Sequence, residues 1–167
     1  MEIAFSLGTN LGDRLANLRG AGVRIAALPT TRVVARSRIY ETAPVGVKPQ
    51  YQNMAYLNAV LVIETELRVE TVSEQIHAIE AEMGRVRGDD RFAPRPIDID
   101  ILYAGREIRD TDSLTLPHPR WAQRRFVLQP LADVRADMIL PGYAQRVCER
   151  LANLGGESEV VSLVESW

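Results

Sequence analysis

The sequence predicts an α+β fold, an antiparallel sheet that carries two helices on one face. Four segments alternate apolar and polar residues with the period of two that a half-buried strand requires. Two others repeat apolar residues at helical spacing. Their order along the chain is strand, helix, strand, strand, helix, strand, the ferredoxin-like (split βαβ) arrangement with strands in spatial order 4-1-3-2. A chain of 167 residues, 46% hydrophobic and 25% charged, suits one domain spanning 1–167 with an ordinary core.

Each element has its own justification. Ile3, Phe5 and Leu7 alternate with Glu2, Ala4 and Ser6, so the first strand buries one face and shows mostly small residues on the other. Gly8 to Gly12 breaks it, Asp13 is placed to cap a helix with the stripe Leu15, Leu18, Gly22, Ile25 and Leu28, and Pro29 ends that helix. The turn lacks the lysine and spacing of a phosphate-binding P-loop. Arg32 to Tyr40 alternates again and reads as one strand with a solvated basic face, at an edge of the sheet. A long loop rich in amides and turn formers leads to a third strand, Tyr56 to Glu64, on which Asn58 is the odd polar residue. Thr71 and Glu74 form a capping-box pattern, Val69, Val72, Ile76, Ile79 and Met83 recur at helical spacing, and Gly84 stops the helix.

The fourth strand carries the chemistry. In Ile97-Asp98-Ile99-Asp100-Ile101 the isoleucines fall on one face and both carboxylates on the other. Two carboxylates about 6.6 Å apart at an effective dielectric near 20 repel by ~2.5 kcal/mol, so something must compensate them. A hard divalent cation would, since Mg²⁺ takes one or two carboxylates and leaves its other positions to water and phosphate. Just upstream, Arg85, Arg87, Arg91 and Arg95 sit in a loop punctuated by Gly88, Pro94 and Pro96, a composition suited to a polyphosphate. With the aliphatic faces turned to the helices, Asp98, Asp100, Tyr56 and Asn58 share the open face. The first strand lies between them, with Ala4 and Ser6 expected as a floor of small side chains. That leaves room for a flat ligand. In the C-terminal extension His118, between Pro117 and Pro119, suits a positioned donor better than a swinging base. Helical residues near Gln145 to Leu154 and the tail after Gly156 read as supporting structure.

Other classes are disfavoured. A net charge of -2 argues against binding nucleic acid through bulk charge, and a lone Cys148 with only His77 and His118 gives no Cys/His metal spacing. The N-terminus has no signal-peptide pattern, and no apolar run approaches a membrane span. The expectation is a cytoplasmic monomer that binds small molecules.

The run Arg91-Phe92-Ala93-Pro94-Arg95, two residues, then Asp98-Ile99-Asp100-Ile101-Leu102 resembles the signature of the hydroxymethyl-dihydropterin pyrophosphokinases of folate synthesis. Leu7 to Leu11, Tyr40 to Gly46, Tyr56-Leu57-Asn58, Gly84 to Arg87, and Pro117-His118-Pro119 through Arg124 to Leu131 resemble that family in the same order. The resemblance implies transfer of the terminal diphosphate of ATP to a pterin hydroxymethyl group, releasing AMP. It implies two Mg²⁺ ions on Asp98 and Asp100, with Arg85 and Arg95 neutralising the transferring group. Glu80, Arg87, Phe92, Ile101, Thr115, His118 and Arg124 would contact nucleotide. Thr42, Ala43, Pro44, Val45, Tyr56, Asn58 and Phe126 would hold the pterin, the two aromatics bracketing its ring. Another metal-dependent nucleotidyl or phosphoryl transferase would share the aspartates but have no use for the Tyr56, Asn58, Phe126 set. A non-enzymatic ferredoxin-like ligand-binding domain would tolerate loss of both aspartates and would bind its ligand without Mg²⁺.

Overall fold

The alternating segments pair as antiparallel strands, and the apolar stripes of the two helices close over one face of them. The computed structural model describes residues 1–44, 47–86, 93–155, 160–164 and 167, with the backbone alone for 160–164. Its elements are β1 (Glu2–Thr9), α1 (Arg14–Ala26), β2 (Thr31–Arg36), β3 (Ile39–Thr42), β4 (Tyr56–Thr65), α2 (Val69–Glu82), β5 (Asp98–Ala104), β6 (Arg109–Asp110), β7 (Thr115–Leu116), α3 (Arg125–Arg135), α4 (Val147–Asn153) and β8 (Val160–Val164). The main sheet runs β5-β1-β4-β3-β8, with β2 beside β4. Its first four positions reproduce the expected 4-1-3-2 order.

The core under α1 and α2 takes the expected faces. Ile3, Phe5 and Leu7 of β1, Leu57, Leu61 and Ile63 of β4, and Ile97, Ile99 and Ile101 meet Leu18 and Ile25 of α1 and Val72 and Ile76 of α2. Each such buried branched side chain contributes about 1.5–3 kcal/mol. Asp13 caps α1 by accepting from the Ala16 amide at 3.0 Å. The capping box expected at Thr71 does not form: α2 begins at Val69, flanked by Arg68, with no side-chain cap. Val69 is fully buried, and its packing draws the N-cap three residues back, from Thr71 to Arg68.

Two departures shape the site. The expected strand Arg32 to Tyr40 breaks at Ser37, whose hydroxyl accepts from the Val60 amide at 2.8 Å and donates to the Arg38 carbonyl at 2.7 Å. A side chain that takes over a ladder position interrupts the strand. β2 keeps the edge, pairing only with β4 among the described residues, while β3 lies between β4 and β8.

The second departure is on the far face. Trp121, Val127, Leu128, Leu131, Leu140 and Val147 of the extension pack on Ala4, Val60, Val62, Leu102 and Tyr103, a second core. A bulge helps: Ala4 pairs with Tyr103 and Phe5 with Ile101, so Leu102 is extra and joins Tyr103 on this face. The face expected to be open is therefore covered at one end. What remains open is the end that carries Ser6, Gly8, Asp98 and Asp100.

Candidate active site

The register fixes the floor. Gly8 stands opposite Asp98 on one side and Asn58 on the other, and Ser6 opposite Asp100 and Val60. Two strand spacings, about 9.6 Å, separate the acidic strand from Asn58. The floor between them is Gly8 and Ser6, not the expected Ala4 and Ser6, because Ala4 is buried beneath the second core. A Cβ on Gly8 would meet Asn58 Oδ1 at 3.4 Å, so the protein itself has space for one. Its absence keeps the floor flat for whatever lies above.

Over this floor is a cavity of about 290 Å³ lined by Thr42, Ala43, Val47, Tyr56, Arg85, Arg95, Asp98, Asp100, Arg120, Arg124 and Phe126. Asn58 is buried and does not itself line the cavity; its amide donates to Thr42 Oγ1, which does, at 2.8 Å. Tyr56 is partly desolvated, which raises its phenol above the ordinary range. The Arg95 guanidinium lies 6.0 Å from the Tyr56 ring centroid and that of Arg124 5.5 Å from the Phe126 ring, so each aromatic wall is paired with a cation. Pro44 sits beside the cavity without lining it; Val45, Arg87 and Phe92 lie outside the described residues.

A second cavity of about 270 Å³ opens on the other side of the acidic strand, lined by Ser73, His77, Ile101, Asp112, Thr115 and His118, and by Asp100. Asp100 thus belongs to both. Burial and the neighbouring charge of Asp98 push its carboxyl upward, opposed by His118, Arg124 and Arg85. His118 Nε2 is 3.8 Å from Asp100 Oδ2, while Nδ1 accepts from the Arg120 amide at 3.2 Å. That contact assigns the ring proton to Nε2, facing Asp100. Burial holds His118 below its ordinary value, against the pull of Asp100. The Arg120 amide thus fixes the ring on the segment between Pro117 and Pro119.

Asp98 is answered from both sides. Arg85 NH1 lies 2.5 Å from its Oδ1, and Arg95 binds its Oδ2. Glu80, buried in α2, accepts from the Ile99 amide at 2.8 Å and from Arg85, so it anchors Arg85 and lines neither cavity. In the free protein the repulsion between the aspartates is therefore offset by two arginines. The carboxylates remain suited to Mg²⁺: they are hard oxygen donors on one face, and among the described residues Asp100 is held by no ion pair but the long contact to His118. Among the described residues no group of three or more acids, histidines or cysteines forms a cage, so such an ion would complete its shell with water and phosphate.

Sequence reasoning missed Gly8 as floor, Arg120 in the cavity lining, and Asn10. Asn10 sits just past β1, and its Oδ1 accepts from the Arg95 amide at 2.9 Å. The only sequence signal for Arg120 is its place two residues after His118.

The chain is similar to known proteins in sequence and in fold. The model of the family described as 7,8-dihydro-6-hydroxymethylpterin-pyrophosphokinase matches residues 4–136. A 2-amino-4-hydroxy-6-hydroxymethyldihydropteridine pyrophosphokinase of Methylorubrum extorquens is 45% identical over 89% of this chain and 90% of its own. The protein of that name from Bacillus subtilis is 42% identical over 77% of this chain and 75% of its own. Among solved structures, an HPPK-DHPS crystallised with substrates superposes with a TM-score of 0.68 at 13% identity, covering 90% of this chain and 44% of that one, which bears on the fold alone. With its sequence matched over most of its length and its sheet in the same fold, this chain belongs to the 7,8-dihydro-6-hydroxymethylpterin-pyrophosphokinase family.

Proposed function

We propose that this diphosphotransferase moves the terminal diphosphate of ATP to the hydroxymethyl group of 6-hydroxymethyl-7,8-dihydropterin in folate synthesis, with Mg²⁺, releasing AMP. The observation that carries the reading is the pair of cavities meeting at Asp100, one flat-floored and aromatic-walled, the other flanked by His118 and Thr115. Two substrates bound there would meet at the acidic strand. The whole chain, 1–167, would act as one catalytic domain, a monomer in the cytoplasm; no described helix is long and apolar enough to cross a membrane.

Each residue then has a task. Tyr56 and Phe126 bracket the pterin ring over Gly8, while Asn58, Thr42, Ala43, Pro44 and Val45 read its edge. Ile101, Thr115, His118 and Arg124 hold the nucleotide, together with Arg87 and Phe92. Asp98 and Asp100 would hold two Mg²⁺ ions, which when bound supply charge neutralisation along the triphosphate. Arg85 and Arg95, which clasp Asp98 in the free protein, would pass to the diphosphate as it transfers. Transfer of this kind asks a protein for position and neutralised charge, and these residues supply both. The test is the nucleotide product: incubation with ATP, Mg²⁺ and the reduced pterin should give AMP and a pterin diphosphate, whereas ADP and a pterin monophosphate would overturn the reading.

A further inference from the structure

Asn10 has a task that the fold alone does not account for. It is 5% exposed at the end of β1, next to the strand that carries the aspartates. Its Oδ1 accepts from the Arg95 amide at 2.9 Å, and its own amide donates to the Arg95 carbonyl at 3.3 Å. Arg95 stands between Pro94 and Pro96, neither of which has an N–H, so its amide is the one backbone donor of residues 94–96. That donor goes to Asn10.

The seam is rigid from below. Asn17 of α1 donates to the Leu11 carbonyl at 2.8 Å and approaches Thr9 Oγ1 at 3.4 Å, and Asp13 caps the same helix. With its backbone fixed at both polar atoms, Arg95 has only side-chain torsions left. They bring its guanidinium to Asp98 Oδ2 and within 6.0 Å of the Tyr56 ring centroid, between the acidic strand and the aromatic wall. Meanwhile Asn10 Nδ2 is buried with no hydrogen-bond partner among the described residues. An unsatisfied buried donor is a cost to the fold, and a residue selected for stability alone would not keep it. The amide is there for its oxygen.

We propose that Asn10 is a positioning residue for the transfer step, acting through Arg95 by holding its backbone against β1. The inference rests on the assignment of Arg95 to the transferring diphosphate. Asn10→Leu removes the acceptor and should lower turnover about 10- to 100-fold while the pterin KM stays within about twofold, since loss of placement falls on the reacting geometry. Asn10→Asp keeps the acceptor and should retain turnover within about fivefold. In an Arg95→Ala background, Asn10→Leu should cost less than about twofold more, because two residues acting as one unit are not additive.

Hydrogen exchange at the Arg95 amide reads the seam without any turnover: it should be protected in the parent and in Asn10→Asp, and exposed in Asn10→Leu. Should Asn10→Leu fail to fold, Asn10→Ala carries the same comparison. Multiplicative losses in the double variant, a raised KM with unchanged turnover, or an Arg95 amide equally protected in all variants would overturn the proposal. A parent that releases no AMP would instead sink the assigned reaction, so the two failures are distinguishable.

Discussion

Replacing the two aspartates one at a time should have opposite effects on the stability of the metal-free protein. Asp98 accepts from Arg85 at 2.5 Å and from Arg95, and its side chain is 21% exposed. Charge-assisted hydrogen bonds of this kind contribute about 1.5–3 kcal/mol each, so the two hold about 3–6 kcal/mol. Asp98→Asn weakens both and removes ~2.5 kcal/mol of repulsion with Asp100, for a net loss of about 1–3 kcal/mol. Among the described residues Asp100 has one ion-pair partner, His118 at 3.8 Å, and burial already disfavours its charged form. Asp100→Asn gains the same relief and loses little, so stability should hold level or rise by up to about 2 kcal/mol. Urea melts in EDTA at neutral pH measure both, and thermal melts should differ by about 2–4 °C per kcal/mol in a chain of this size. An Asp98→Asn protein as stable as the parent, or an Asp100→Asn protein clearly weakened, would refute the division of labour.

Other outcomes follow from single contacts. Arg95→Ala should reduce turnover by about 10²–10³ with pterin affinity nearly unchanged, and lysine should restore it only in part for want of a planar fork; steady-state kinetics with both substrates varied would show the reverse pattern if Arg95 served binding. The Arg135 hydrogen bonds hold Glu2 below its usual 4.5, so its stabilisation is present above that value and is lost as pH falls through the lowered one. Glu2→Gln should therefore cost about 1–2 kcal/mol at pH 7, with the gap closing below about pH 4.5; a gap that persists to pH 3 counts against it. A Cβ on Gly22 would lie 3.0 Å from Trp167, whose indole donates to the Ser37 carbonyl at 2.8 Å. Gly22→Ala should thus be neutral or destabilising in the parent but stabilise a Trp167→Ala variant by about 0.5–1 kcal/mol; equal effects in both backgrounds would show that the indole is not a constraint.

The parts of the fold legible in the sequence are those set by local periodicity. Alternation assigns Phe5, Leu61 and Ile99 to one face and Asp98, Asp100 and Asn58 to the other, and strand order then brings the polar set together. What was not legible depends on partners distant in sequence. Ser37 breaks the second strand because its hydroxyl meets the Val60 amide, 23 residues away. Asn10 finds Arg95 across 85 residues. The segment Trp121 to Leu131 carries an apolar run after Arg124, Arg125 and Phe126, yet nothing in it says that it will cover Ala4, Val62 and Leu102. The repulsion of the aspartate pair was legible as a problem, and its solution in the free protein, two arginines on Asp98 alone, was not. An arginine side chain long enough to reach a phosphate is also long enough to reach a carboxylate, and in the free protein Arg85 and Arg95 reach Asp98.

The central claim is transfer of a diphosphate across the acidic strand. It is tested most directly with ATP labelled at its β- and γ-phosphates, Mg²⁺ and the reduced pterin, using the parent and both asparagine variants. The account predicts that both labels appear together on the pterin with one AMP released per transfer, and that Asp98→Asn and Asp100→Asn, each still folded, fall by at least about 10²-fold. Label from the γ-phosphate alone, or full transfer by either variant, would contradict it.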